Sequence, residues 1–372
     1  MAHDYDIAVI GGGLVGGAIA CGLARGGRRV ALLDEGDIAY RASRGNFGLV
    51  WVQGKGLGLA PYGNWTQRAA RLWPDLARAL HEETGTDVSL EQPGGFHVCL
   101  SAAEMDNRVA SLTKLVEQTG FERYTFEVLD RAALAARVPG IGPDVVGATY
   151  SALDGHVNPL RLLRALHAAF IKRGGAYLPL RKVERIARPS GRFAVYAAGE
   201  QISADQVVLT AGLGNATLAP QLGLHAPVRP QRGQIIVLER VRRFLHYPMA
   251  TLRQTDEGTV LIGDSQEEAG LSDTAVTAIT VTQAERATRI FPGLRDVRVN
   301  RTWAALRVMS PDGFPVYEQS PTQPGAFVVT CHSGVTLASA HVFDLAPRIA
   351  AGELGPEMKP FSARRFDVSK AA

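Results

Sequence analysis

Residues 5 to 34 constrain the chain most. Tyr5-Asp6-Ile7-Ala8-Val9-Ile10 is a short apolar run of strand character, and it leads straight into Gly11-Gly12-Gly13-Leu14-Val15-Gly16. Ala18, Ile19, Leu23 and Ala24 follow at helical spacing, and Gly26-Gly27 predicts the helix stop. Arg29-Val30-Ala31-Leu32-Leu33 reads as a second strand with Asp34 at its end. Together these predict a βαβ unit. The pattern Gly11-x-Gly13-x-x-Gly16 carries little by itself. Between a strand and a helix, with an acidic residue 23 positions beyond Gly11, it fits the dinucleotide fingerprint. The helix start offers free N–H groups and a positive dipole end to a pyrophosphate. Asp34 stands where it can accept hydrogen bonds from ribose hydroxyls. The bland alternative is a turn followed by a solvated carboxylate, and the fingerprint leaves nicotinamide and flavin dinucleotides both open.

A chain of 372 residues exceeds what one hydrophobic core usually organises, so two lobes are expected. Hydrophobic residues at 46% and charged residues at 20% describe a globular protein without the depletion that marks disorder. The net charge of +4 comes from scattered arginines, and no basic block interleaves with aromatics as a nucleic-acid surface would need. Cys21, Cys99 and Cys331 lie far apart and lack ligand spacing, so neither a disulfide framework nor a metal site is expected. No apolar run reaches the roughly 20 residues of a membrane span. A strand beginning by Asp6 leaves no room for a signal peptide, so a cytoplasmic location is expected.

Residues 41 to 64 form a long stretch holding Gly45, Gly48, Gly54, Gly56, Gly58 and Gly63, and a loop of that length in an enzyme is more often functional than decorative. Ala69, Leu72, Leu76 and Leu80 predict a helix from Trp65 to Thr84, with Pro74 expected to bend or split it. Thr86 to about Tyr150 mixes short strands with a helix. Asn158-Pro159 predicts the start of a helix through Leu162, Leu163, Leu166 and Phe170, stopped by Gly174-Gly175. Gln206 to Gly212 reads as a buried strand ending in a glycine turn. Residues 228 to 310 read as successive strands, among them Gly233 to Leu238 and Thr259 to Ile262. A last strand at Ala326 to Thr330 meets His332-Ser333-Gly334, and a helix is expected from about Val335.

Six segments then carry a resemblance through their order. They are Ala42-Ser43-Arg44-Gly45-Asn46, Asp154-Gly155-His156-Val157-Asn158-Pro159-Leu160, Val207 to Gly212, Pro230-Gln231-Arg232-Gly233-Gln234, Trp303-Ala304-Ala305-Leu306-Arg307 with Pro311-Asp312-Gly313-Phe314-Pro315, and His332-Ser333-Gly334. In this sequence of motifs the chain resembles the D-amino-acid oxidase/glycine oxidase family of flavoenzymes nearly from end to end. The tryptophan often found after Gly212 in that family is missing, and Ala305 and Val308 stand where it has glycine and proline. The wording from Arg44 to Lys55 is similar to the flavoprotein subunits of opine oxidases and hydrogen cyanide synthase, which implies partner subunits, with a homo-oligomer as the alternative.

The resemblance implies an α/β protein: a Rossmann-type FAD-binding domain with an inserted antiparallel-sheet substrate domain. Residues 1–84, 150–222 and 325–372 are expected in the first, and 85–149 with 223–324 in the second. It implies cofactor contacts from Gly11, Gly13, Gly16, Asp34, Ser43, Arg44, Asn46, Gly212 and Gly334. Arg307 corresponds to the arginine that pairs with the substrate carboxylate, a task suited to a bidentate, permanently charged fork. Arg44, Arg232 and Arg253 are secondary candidates with structural roles expected. His332 is expected to hydrogen-bond beside flavin or substrate, since no nucleophile elbow surrounds Ser333. His97 and His156 are expected to be structural, and Asp312 to form a turn. No cysteine lies between Arg307 and Phe314, where sarcosine oxidases tether the flavin, so FAD is expected to be non-covalent. No lysine lies in Thr259 to Gly263, which leaves the acceptor open between oxygen and another carrier.

The expected reaction is oxidation of a C–N bond in a small amine or amino acid (D-amino acid, glycine-like or opine) to an imine that hydrolyses. Two alternatives stand beside it. One is a flavin-dependent 2-hydroxy acid dehydrogenase using His332 as base; the other is a flavoprotein subunit active only within a hetero-complex.

Overall fold

The first strand, His3–Ile10, is the axis of the fold. In the computed structural model, which describes residues 3–36, 42–263 and 265–367, this strand pairs in parallel with Val30–Leu33 on one side and Glu200–Leu209 on the other. Ala326–Thr330 continues the sheet in parallel beyond Glu200–Leu209, and Ala176–Leu178 continues it beyond Val30–Leu33. Antiparallel strands complete eight: Val316–Gln319 against Ala326–Thr330, and the pair Val183–Ala187 and Phe193–Ala197 against Glu200–Leu209. Strands covered on both faces carry near-continuous apolar runs, and the two faces alternate here. Ile7, Val9, Val208 and Phe327 enter one core, while Ala8, Ile10, Val207 and Val328 enter the other.

The βαβ unit forms as expected, with the first helix at Leu14–Arg25 and the second strand at Val30–Leu33. Asn158 caps the helix Pro159–Lys172, its side-chain oxygen accepting from the N–H groups of Leu160 and Arg161. A four-stranded antiparallel sheet is built from Leu252–Gln254, Thr259–Ile262, Arg229–Arg240 and Val299–Met309. It shares a core with a three-stranded sheet, Gly95–Cys99, Gly147–Ser151 and Glu127–Asp130, through Phe96, Ala148, Ile236 and Leu252. Strand Val316–Gln319, although within the 223–324 stretch, hydrogen-bonds into the large sheet.

Three local expectations need correction. Pro74 does not split its helix in two; the helix runs from Ala60 to Thr84 as one segment of 25 residues. A proline cannot bond the carbonyl four residues back; here Gln92 Nε2 donates to that carbonyl, Ala70 O, at 3.0 Å. The run of strands over 228 to 310 is interrupted by a helix, Thr277–Ile290. Its Thr, Ile and Val residues favour strands locally, but Gln283, Ala287 and Ile290 form a buried helical stripe, so packing decides. The last helix starts at Ala338, after a turn, rather than at Val335. Residue 41, where the glycine-rich loop was expected to begin, lies outside the described residues. Among the described residues no helix is long and apolar enough to cross a membrane.

Candidate active site

The glycine turn is shaped by contacts that no side chain would fit. Gly11 has a φ of +108°, and a Cβ there would lie 2.5 Å from the Thr210 carbonyl oxygen. A Cβ on Gly16 would lie 1.8 Å from the carbonyl oxygen of Gly11. Thr210 ties the turn from the neighbouring strand, its hydroxyl donating to the carbonyls of Ile10 and Gly11 at 2.8 and 2.9 Å. Asp34 braces the other side. Its Oδ2 accepts from the Gly12 N–H at 2.7 Å and its Oδ1 from the Gly36 N–H at 2.9 Å. Ser43 Oγ accepts from the Leu14 N–H at 2.9 Å, at the start of the first helix. That helix end is where a pyrophosphate finds backbone donors.

This turn opens one end of a cavity of about 1160 Å³. Asp34, Glu35, Lys182 and Val183 line it near the turn, and Arg307, His332, Lys55 and His97 line it elsewhere. Gly11, Gly13, Asp34, Ser43, Arg44, Asn46, Gly212 and Gly334 all face it, while Gly16 stands behind and lets the helix approach the turn. Asn46 also shapes its own loop, its side-chain oxygen accepting from the Gly48 N–H at 2.7 Å. Arg44 is exposed at the rim. The cradle, the helix start and the acceptor carboxylate fit a dinucleotide: the backbone at Gly11 to Leu14 with Ser43 would hold its pyrophosphate, and Asp34 its ribose.

Arg307 sits on strand Val299–Met309 opposite Gln231. Its guanidinium lies over Gly233, where a Cβ would approach to 2.6 Å, and Nη1 donates to the Ser265 carbonyl at 2.7 Å. The secondary arginines are engaged elsewhere. Arg232 pairs with Glu267 at 2.7 Å. Arg253 is buried and donates to the Phe47 carbonyl. Asp312 makes the expected turn, its Oδ1 accepting from the Phe314 N–H at 3.0 Å, and it pairs with Arg365 at 2.7 Å. His156 packs between Glu91 and Arg253.

Lys55, Gln53, His97 and Arg108 line the cavity without having been marked as site residues by the sequence. Lys55 Nζ lies 3.2 Å from His332 Nε2 and 3.3 Å from Ser333 Oγ, and the Tyr62 hydroxyl lies 2.7 Å from that same Oγ. An ammonium has no lone pair, so His332 Nε2 accepts here and the ring proton sits on Nδ1. Burial, then the charges of Lys55 and Arg307, hold the His332 imidazole well below the usual histidine range, against an opposing backbone bond to Gly313. His332 is therefore neutral and its Nε2 lone pair is engaged. His97, Gln53 and Arg108 form another part of the wall. Burial, then the Arg108 and Arg286 charges, push His97 down to about 4.

Gln53 and its loop are pinned by Asp154. Asp154 Oδ1 accepts from the Val52 N–H at 2.5 Å, and Oδ2 from Gln53 Nε2 at 2.8 Å. Complete burial pushes the Asp154 carboxyl up to about 7, opposed by these donors. The motif at Asp154 thus anchors the segment that carries Lys55. The glycine-rich loop had marked that segment as functional; nothing in the local sequence marks His97 or Arg108.

Comparison with known proteins places this geometry. The model of the FAD dependent oxidoreductase (DAO) family matches residues 6–343. An opine oxidase subunit of Agrobacterium tumefaciens is 45% identical, over 99% of this chain and 100% of that protein. Hydrogen cyanide synthase subunit HcnC of Pseudomonas aeruginosa is 27% identical, over 100% of this chain and 99% of its own. The crystal structure of glycine oxidase from Geobacillus kaustophilus has the same fold, with a TM-score of 0.89, 24% identity and coverage of 97% and 98% of the two chains. With its βαβ cradle, its interleaved sheets and a match across most of its length, this chain belongs to the DAO family of FAD-dependent oxidoreductases.

Proposed function

We propose that the protein oxidises a C–N bond in a small amino acid or secondary amine, such as a D-amino acid, a glycine-like substrate or an opine. The observation that carries this reading is the wall of one cavity: an arginine suited to a carboxylate, beside a histidine unsuited to act as a base. FAD, when bound, would supply the two-electron acceptor for the hydride that leaves the carbon beside nitrogen. Arg307 holds the substrate carboxylate and orients that carbon, and positioning of this kind is worth on the order of 7–11 kcal/mol for a well-aligned pair. An unprotonated amine has its own lone pair to form the imine, so no side chain must take a proton. Water then hydrolyses the imine to a carbonyl compound and a released amine or ammonia.

A 2-hydroxy acid needs a base for its hydroxyl proton. The Lys55 contact on His332 Nε2 counts against that alternative. Product balance tests the reading: each two electrons passed to a dye should yield one carbonyl and one released amine. A carbonyl formed without amine would reverse it. His332→Gln is a further check. Because His332 is neutral, its loss should slow flavin reduction less than about tenfold and leave the pH profile between about 6 and 9 unchanged in shape. A loss of about 10²-fold or more, with an acid limb removed, would make His332 the base.

The relative at 45% identity is named a subunit. We infer that this chain likewise works beside partner chains, which bring it an electron acceptor or a path for product. The purified chain alone should then reduce its flavin with amine yet turn over slowly with oxygen; full steady-state turnover alone would count against the assembly.

A further inference from the structure

Arg108 gives the cavity a further cation. It lies on the helix Ala102–Glu117 and faces the same cavity as Arg307. Its hydrogen bonds go only to neutral oxygens: Nε donates to Thr149 Oγ1 at 3.2 Å and Nη2 to Gln53 Oε1 at 3.2 Å. Among the described residues no carboxylate forms an ion pair with it. Nearby Arg286, by contrast, pairs with Glu104 at 2.9 Å. The carboxylate behind Arg108 is Asp154, and it is occupied by the donors of Val52 and Gln53. Arg108 is half-buried, with only the charge of the already occupied Asp154 nearby, and a guanidinium that stays charged while partly withdrawn from water is costly without an ion-pair partner. That cost is offset when a ligand brings the anion.

The surroundings of Arg108 are built to hold it in place. The Gln53 side chain is buried and doubly tied, Nε2 donating to Asp154 Oδ2 at 2.8 Å and to the Gly95 carbonyl at 3.0 Å. Its Oε1 is thereby aimed at Arg108, and the Thr149 hydroxyl donates to that same oxygen at 2.7 Å. Gly54 leaves room, since a Cβ there would lie 3.0 Å from Arg108 Nη1. Side chains braced in this way lose little freedom when a ligand arrives.

We propose that Arg108 is a specificity-determining residue that binds a second anionic group of the substrate, so that the preferred substrate is an amine carrying two carboxylates, one held by Arg307 and the other by Arg108. The inference rests on the reading that Arg307 holds a carboxylate, and it narrows the amines of that reading to dianionic ones. His97, which lines the same wall, adds a neutral ring nitrogen for hydrogen bonding.

Straight-chain dicarboxylic acids from glutarate to pimelate, compared with butyrate, test this without any C–N bond to react. Calorimetric titration of the flavin-loaded protein should show at least one diacid binding about ten- to a hundredfold more tightly than butyrate, as a charge-assisted hydrogen-bonding pair provides. Arg108→Gln should collapse that ratio through loss on the diacid side, and Arg108→Lys should restore part of it. Iminodiacetate against N-methylglycine in flavin reduction should follow the same pattern. Diacids that bind no better than butyrate, or a ratio unchanged in Arg108→Gln, would overturn the proposal. A ratio that depends on Arg108 while no amine reduces the flavin would uphold the anion site and remove the amine reading instead.

Discussion

Replacing Arg307 with alanine is expected to raise the KM for a carboxylated amine by about a hundredfold, and to change that for a neutral amine of similar size far less. A hydrogen bond to a charged partner is worth about 1.5–3 kcal/mol, and each 1.36 kcal/mol is a factor of ten, so loss of a bidentate pair reaches this range. Arg307→Lys should recover only part of the loss, because a lysine offers a point charge and no planar fork. The side chain has a structural contact as well, through Nη1 to the Ser265 carbonyl at 2.7 Å. That bond contributes about 1 kcal/mol to stability and affects all substrates alike. Comparing the two amines therefore separates the roles. Equal losses on both would take the carboxylate away from Arg307.

Gly16→Ala is expected to abolish FAD binding while conservative changes at the rim leave the protein yellow. The new methyl would lie 1.8 Å from the Gly11 carbonyl oxygen and 2.5 Å from Thr210 Oγ1. Relief requires moving backbone, since the closer atom belongs to the turn itself. The helix start would shift off the strand and carry the N–H groups that would hold the pyrophosphate out of place. The Thr210 hydroxyl, which ties Ile10 and Gly11, would be displaced too. At Gly12 the same change meets only the Asp34 side chain, at 3.0 Å or beyond, and should weaken binding without eliminating it. The ratio of flavin to protein absorbance after gel filtration reads both variants. Full occupancy in Gly16→Ala would show that the turn does not serve as the cradle.

The parts of this fold that were legible in the sequence are those governed by neighbours in the chain. Tyr5 to Asp34 shows strand, glycine turn, helix and strand within one local pattern, and Asn158-Pro159 announces its helix by a cap that acts over three residues. Where distant contacts decide, local reading failed. Thr277–Ile290 is rich in β-branched residues yet forms a helix because Ala287 and Ile290 pack into the core beneath it. Pro74 is tolerated because Gln92, from another segment, fills the missing bond. The candidate site divides in the same way. Gly11, Asp34 and Ser43 belong to ordered motifs, whereas Lys55, His97 and Arg108 come to one wall only because the Asp154 network and the smaller sheet bring their segments together. Nothing in the spacing of those three residues records that meeting.

The most direct test of the account is anaerobic titration of the flavin-loaded protein with D- and L-amino acids, glycine, N-methylglycine, opines and 2-hydroxy acids, following the absorbance of oxidised flavin. Stoichiometric bleaching by one class of amine, with the hydroxy acids inert, is the predicted result. A bound flavin that a hydroxy acid reduces and no amine does would contradict it.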